Sequence, residues 1–310
     1  GGVLEKADYK VKIIDATGEK RPMRIKSSLD NQYNIQGLST DEIIENIDSI
    51  LKKQKVEYEI IIVNDGSTDR TEELLKNYDD IIMISRNINR GYGFSIKEGI
   101  RKSMGNMILI IDADGSYPVD EVPNLISESS SYDMVIGERS GKNVSIGLLN
   151  RFGKLILRLL IYFLSSIWIK DINSGLRIFK KELILKYWNI IPDGFSLTTT
   201  LTVASLLEKY RIKFIPINYY KRVGKSKINP FKDFFNFVIL VFRIISFFKP
   251  LRFYLPISIF FLAAAILRAV RDIVLFNSIE TAAVLLFIIA IQTLFFGLLA
   301  DLIVNKHKNY

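Results

Sequence analysis

Up to about residue 230, short apolar runs alternate with charged stretches of helical spacing. "YEIIIVND" (58–65), "DIIMISR" (80–86), "NMILIIDAD" (106–114) and "YDMVIGER" (132–139) read as strands. "STDEIIENIDSILKK" (39–53), "STDRTEELLKNY" (67–78) and "GFSIKEGIRKSM" (93–104) read as helices. In the second of these, Ser67 or Thr68 can cap the helix and Glu72 falls in its first turn. Strands that alternate with helices imply an α/β domain with a mostly parallel sheet covered on both faces. Such sheets bind ligands at the carboxyl ends of their strands. Asp65, Asp112 and Arg139 each fall at such an end.

Beyond residue 230 the pattern changes. "FKDFFNFVILVFRIISFFK" (231–249) is aromatic-rich with Lys232, Arg243 and Lys249 interspersed, which suits an interfacial amphipathic helix over 230–250. "LRFYLPISIFFLAAAILRAV" (251–270) and "TAAVLLFIIAIQTLFFGLLADLIV" (281–304) are each long enough to cross a hydrocarbon layer of roughly 30 Å. Together they predict a two-helix transmembrane hairpin over 251–304, with Pro256 and the Arg268–Asp272 stretch blurring the end of its first helix. A buried hairpin of a soluble protein is the competing reading. Lys249 and Arg252 precede the pair and Lys306 and Lys308 follow it, which places both ends and the N-terminal domain on the cytoplasmic face. Arg268 and Arg271, at the opposite end, argue mildly the other way. "GGVLEKADYK" has no apolar stretch of the kind a signal peptide requires.

Composition narrows the chemistry. The 310 residues include no cysteine, which excludes disulfides and thiolate metal sites. The single histidine, His307, lies near the C-terminus, so histidine-based catalysis is not expected. A formal net charge of +9 suits nucleic acid, anionic lipid or phosphorylated substrates. Nucleic acid would explain the charge but neither the apolar spans nor the paired acids described next, so no nucleic-acid partner is expected.

Asp112 and Asp114, one residue apart in "LIIDADGSYPVDE", leave an apolar strand together. Their mutual repulsion calls for a positive charge, and a D-x-D pair supplies hard oxygen ligands for Mg²⁺ or Mn²⁺. Such an ion stabilises negative charge on a departing diphosphate. In "VNDGSTDRT" (63–71) a strand closes on Asp65 and Gly66 permits a tight turn. The carboxylate there can accept hydrogen bonds from a nucleotide, or can simply serve the strand-to-helix turn.

"VNDGSTDRT", "DADGSYP", "DINSGLRIFKKE" (171–182) and "YYKRVGKSKI" (219–228), in that order, resemble the inverting family 2 glycosyltransferases of GT-A fold. With the two C-terminal spans, the chain resembles the polyprenyl-phosphate group within them, which includes dolichyl-phosphate mannose synthase and undecaprenyl-phosphate glucosyltransferases. The likeness covers roughly residues 38–304, as a GT-A domain over 38–229 followed by the membrane segments.

The resemblance implies a sugar transfer from a nucleotide sugar, of GDP-mannose or UDP-glucose type, to a dolichyl or undecaprenyl phosphate. It implies that Asp65 and Gly66 meet the donor nucleotide and that Asp112 and Asp114 hold the divalent cation on its diphosphate. Arg139 and Arg151 would meet the lipid phosphate. Asp171 and Arg177, in a D-x-x-S-G-x-R element, would lie close to the reacting groups. Arg222 and Lys225 would lie in a basic loop that closes near the donor phosphates. Each has a plainer reading: Arg139 and Arg151 as surface charges, Asp171 as a cap, Lys225 as a contact to anionic lipid. Tyr219 and Tyr220 read as packing. Homo-oligomer formation is left open.

A lipid phosphate is already anionic near neutral pH and needs no strong general base. It needs positive charge to overcome repulsion from the donor, and arginines meet phosphate with two donors at once. An in-line displacement with inversion follows.

Two departures from the family stand out. The segment 1–37 is atypical: "RIKSSLDNQYNIQGL" stands where the family carries a strand ending in a P-x-Y-N-E-like element that cups the base. "GFSLTTTLTV" (194–203) has Ser196, Thr198 and Thr200 where many relatives carry glutamates. They leave two alternatives: a catalytically inactive membrane scaffold of the same fold, and a glycosyltransferase with a non-lipid acceptor.

Overall fold

The computed structural model describes residues 40–54, 56–67, 71–113, 115–140, 155, 158–159, 161–163, 166–194, 196–220, 239, 243 and 246–308. The chain divides into two compact units, Gly1–Arg158 with Ile167–Asn229, and Leu159–Ser166 with Pro230–Tyr310.

The first unit begins with α1 (Thr40–Gln54). Its Ile44, Ile47 and Leu51 recur at helical spacing and are buried. Strand β1 (Ile60–Asp65) pairs in parallel with β2 (Ile81–Arg86), so that Asp65 lies opposite Arg86. Among the described residues, helix α2 covers Thr71–Leu75 of the expected 67–78, and residues 68–70 lie outside them. Ser67 lies in a turn ahead of that helix, its amide donating to Asn64 Oδ1 at 3.0 Å. Tyr78 N–H then closes on the Leu75 carbonyl at 3.3 Å. Helix α3 (Tyr92–Lys102) follows close to its expected bounds.

Four further strands form a second sheet: β3 (Met107–Ile110), β4 (Met134–Arg139), β5 (Arg177–Lys180) and β6 (Ile212–Ile217), in the order β3-β5-β4-β6. Strands β3, β4 and β6 run the same way, as the alternation of strands and helices predicts. Strand β5 is inserted between β3 and β4 and runs against both, so the sheet is mixed. This reversal brings the site together. Arg177, the first residue of β5, lies opposite both Ile110 and Ile136 near the carboxyl ends of β3 and β4. The 171–176 loop that feeds β5 therefore opens on the same sheet edge as the loops leaving β3 and β4.

Helix α4 (Val122–Ser129) crosses from β3 to β4, and α5 (Lys181–Lys186) continues β5. Helix α6 (Leu197–Leu207) is buried on all sides. Its hydroxyls are accommodated by bonding back one turn: Thr200 to the Ser196 carbonyl at 2.9 Å, Thr202 to Thr198 at 2.8 Å, Ser205 to Leu201 at 2.7 Å. One core joins Ile60 and Ile62 of β1 to Leu109, Val135, Ile178 and Ile215 of the larger sheet.

In the second unit, α7 (Pro250–Phe276) and α8 (Thr281–Lys308) form an antiparallel pair. Helix α7 runs through Pro256 and past Arg268, further than the sequence suggested. Arg268 accounts for this: it pairs with buried Asp272 one turn on (3.1 Å) and with Glu280 at the head of α8 (2.6 Å). Ser258 Oγ donates to the Ala290 carbonyl at 2.8 Å. A β-carbon on Gly297 would meet Tyr254 Cβ at 2.8 Å, so glycine permits the close approach there. Outward-facing residues are apolar, with Leu267 72% and Val274 76% exposed. Only 11% of the apolar window in the first helix and 17% in the second is buried, unlike core helices of a soluble protein. Both are long and apolar enough to cross a membrane. The expected interfacial helix over 230–250 lies mostly outside the described residues, as does segment 1–37.

Candidate active site

The loops at the carboxyl edge of the first unit carry most of the chemistry. At the end of β1, Asp65 is 1% exposed and acts as a clamp. Its carboxylate accepts the Arg90 amide on both oxygens (2.9 and 3.1 Å) and the Gly91 amide at 2.8 Å. Asn89 Nδ2 adds a bond to the Asp65 carbonyl at 3.0 Å. Gly66 has φ +74°, and a β-carbon there would meet the Asn89 amide nitrogen at 2.8 Å. Backbone cannot yield as a side-chain tip can, so glycine is required at this crossing of two loops.

At the end of β3, Asp112 is half-buried against Gly175. A β-carbon on Gly175 would lie 2.8 Å from Asp112 Cγ and 2.9 Å from Oδ1. The glycine of the D-x-x-S-G-x-R element thus leaves room for the carboxylate of the D-x-D pair. Two buried tyrosines flank it. Burial raises the phenol of Tyr92 well above its usual range, and the charge of Asp112 and a hydrogen bond to it add to this. Tyr117 is likewise raised by burial and then by Asp112, while its hydroxyl oxygen accepts the Gly175 amide at 2.6 Å. Neither tyrosine was singled out from the sequence. Tyr117 had a visible signal, its place inside "DGSYP".

At the end of β4, Arg139 grips Asp171 side-on, Nε to Oδ2 at 2.6 Å and Nη2 to Oδ1 at 2.7 Å. The Arg139 amide also reaches Oδ2 at 3.2 Å, and the Asn173 amide reaches Oδ1 at 3.2 Å. Burial alone would raise the Asp171 carboxyl, but the bonds and charge of Arg139 outweigh it and hold the carboxyl below its usual range. The guanidinium lies 5.2 Å over the ring of Tyr219. Tyr219 in turn meets Tyr117 edge to face with centroids 5.2 Å apart.

Arg177 is fully buried, and its donors go to oxygens of the backbone and one hydroxyl. Nε reaches the Ser174 carbonyl at 3.0 Å, and Nη1 reaches the Thr198 carbonyl at 3.0 Å and Thr202 Oγ1 at 2.9 Å. Nη2 takes the Ile172 carbonyl at 3.4 Å and the Ser174 carbonyl again. It therefore ties the 171–176 loop to α6 from beneath. Burial lowers its pKa, the cost of a cation surrounded by uncharged acceptors.

The structure thus brings Asp112, Asp171, Arg139 and Arg177 to one edge, with Asp65 and Gly66 at the carboxyl end of the neighbouring parallel pair. Asp114, Arg151, Arg222 and Lys225 lie outside the described residues. The described carboxylate of the D-x-D pair is oxygen of the kind a hard divalent cation takes. Asp112 offers carboxylate oxygen in a cradle that a β-carbon on Gly175 would fill. Among the described residues no group of three or more potential metal ligands gathers, so an ion here would need Asp114, water or a phosphate as well.

The pattern of Glycosyl transferase family 2 matches residues 38–188, and that of the GtrB C-terminal hairpin matches 249–305. A Dolichyl-phosphate hexose transferase of Haloferax volcanii is 27% identical over 174 residues, 55% of this chain and 74% of its own length. A Dolichyl-phosphate beta-glucosyltransferase of Saccharomyces cerevisiae is 27% identical over 223 residues, 63% of this chain and 66% of its own. Among solved structures, glucosyl-3-phosphoglycerate synthase from Mycobacterium tuberculosis superposes with a TM-score of 0.51 at 16% identity, covering 78% of this chain and 80% of that one. That likeness establishes the GT-A-like fold. The chain therefore joins a Glycosyl transferase family 2 domain to a GtrB-type C-terminal hairpin, and it is a glycosyltransferase.

Proposed function

We propose that the chain transfers a sugar from a nucleotide-sugar donor to a polyprenyl phosphate at a membrane surface, with inversion at the anomeric carbon. The observation that carries this reading is the joint presence of the carboxyl-edge site and a hairpin of two apolar helices. The dolichyl-phosphate transferases named above support the lipid-phosphate acceptor.

Each residue takes a part in this reading. Asp65 shapes the donor side of the site by holding the Arg90–Gly91 turn rather than by touching the nucleotide, since its carboxylate is buried and already accepts two backbone amides. Asp112 and Asp114 would hold Mg²⁺ or Mn²⁺. Bound there, the ion supplies positive charge to the leaving diphosphate. Arg139 faces the acceptor phosphate with the guanidinium edge that Asp171 does not use, and Arg151 joins it. Asp171 keeps Arg139 aimed; Arg177 keeps the loop under Asp171 and Gly175 rigid. Arg222 and Lys225, from the basic stretch 219–228, would meet the donor phosphates. The acceptor brings its own negative charge as nucleophile, so the reaction needs no strong general base. The catalytic domain would lie on the cytoplasmic face, since Lys249 and Arg252 precede the hairpin and Lys306 and Lys308 follow it.

An acceptor comparison tests the reading. Purified chain is given a nucleotide-sugar panel with either a short polyprenyl phosphate or the same polyprenol without phosphate. Transfer to the phosphate alone is the expected result. Transfer to the alcohol, or to a soluble glycan instead, would replace the lipid-phosphate acceptor.

A further inference from the structure

Four contacts and one short loop around the site close into a ring. Tyr117 Oη accepts the Gly175 amide at 2.6 Å. Gly175 shares a short loop with Asp171, which pairs with Arg139. Arg139 lies over Tyr219, and Tyr219 returns to the edge of Tyr117. The Asp112 carboxylate rests against Gly175. Tyr117 is the member that touches both sides, through its hydroxyl toward Gly175 and its ring toward Tyr219. It is 4% exposed and leaves the strand on the same loop as Asp112. The Tyr220 amide fastens that loop by donating to the Ser116 carbonyl at 3.0 Å.

We propose that Tyr117 is a positioning residue that sets the Asp112 carboxylate for its cation and, separately, seats Arg139 for the acceptor phosphate. The inference rests on the metal and acceptor roles given above. The hydroxyl acts on the metal side. It takes up the buried Gly175 amide and so fixes the glycine against which the carboxylate is packed. The ring acts on the acceptor side by supporting Tyr219 beneath the guanidinium. Removal of the hydroxyl alone should therefore disturb cation binding and spare the acceptor, which a general loss of packing would not do.

The test is a Mn²⁺ titration of the full chain in detergent, followed by the electron paramagnetic resonance signal of free Mn²⁺. Acceptor KM for a short polyprenyl phosphate is measured alongside at saturating Mn²⁺. Y117F should weaken Mn²⁺ binding about tenfold, as loss of an outer-sphere support does, and leave acceptor KM within about twofold. Y219L should raise acceptor KM and leave Mn²⁺ affinity unchanged. Equal Mn²⁺ affinity in Y117F and the parent overturns the inference. Should Y117F fail to fold, G175A presses on the same carboxylate from the other side, and parent-like Mn²⁺ affinity there overturns it equally. A parent chain that binds no Mn²⁺ would instead remove the metal reading, and this inference with it.

Discussion

Gly175 and Asp112 meet so closely that a single methyl group would not fit between them. The β-carbon of an alanine would lie 2.8 Å from Asp112 Cγ. G175A should displace the carboxylate by about 1 Å while leaving the sheet intact. Displacements of that order at a reacting centre cost roughly a hundredfold in rate. We expect turnover to fall by about that factor, with a melting temperature close to that of the parent. Steady-state rates and a thermal melt check both parts.

Arg139 and Asp171 form a buried, two-pronged ion pair with both side chains less than a fifth exposed. Removing one partner leaves the other charge buried alone, at about 3 kcal/mol. D171N should lose about that much stability near neutral pH in chemical denaturation. The pH dependence has a definite sign. The folded carboxyl titrates below its usual value of 3.8, so the pair's contribution is complete above that value and is lost as pH falls through the lower folded one. The gap between parent and D171N should therefore narrow on acidification, and a gap that is constant with pH would contradict the pairing.

Arg177 has four separate acceptors around its guanidinium, from both the 171–176 loop and α6. Lysine keeps the charge but offers three donors from one point in place of a planar fork. R177K should strand buried carbonyls of Ser174 and Thr198, destabilising the fold by about 2 kcal/mol. Denaturant midpoints measure this directly.

Phe260 lies near the middle of α7 and is 68% exposed, as a side chain facing lipid would be. An aspartate at such a depth disfavours insertion by about 3 kcal/mol. F260D should move the protein from the alkali-resistant membrane pellet toward the supernatant, whereas an aqueous hairpin would tolerate the change.

How much of this was legible beforehand depended on the kind of signal. Strands β1 to β4 and helices α1 and α3 follow from apolar runs and spacing. The two long helices follow from length and hydropathy. Strands β5 and β6 were not among the strands read, and the reversed direction of β5 has no signal at all, because an apolar run specifies a strand without its sense. Yet that reversal is what carries Asp171 and Gly175 to Asp112. Arg177 could be picked from its motif, but nothing in the chain announces that a cation is fully buried among carbonyls. The ion pair of Arg139 with Asp171 joins positions 32 residues apart and was equally silent. Tyr219 read as packing, and it packs against Tyr117 while also carrying Arg139 on its face. The expected helix over 67–78 ends earlier, at Leu75, where the chain turns through Lys76 and Asn77.

The most direct test of the central claim is product analysis. Purified chain would be incubated with a short polyprenyl phosphate, Mn²⁺ or Mg²⁺ and a panel of GDP- and UDP-sugars, and the lipids read by mass spectrometry. The account predicts a lipid phosphate heavier by one sugar, formed only with the cation and absent with D112A or D114A. A folded chain that yields no sugar-linked lipid phosphate from any donor, or one that yields it equally with D112A, would contradict it.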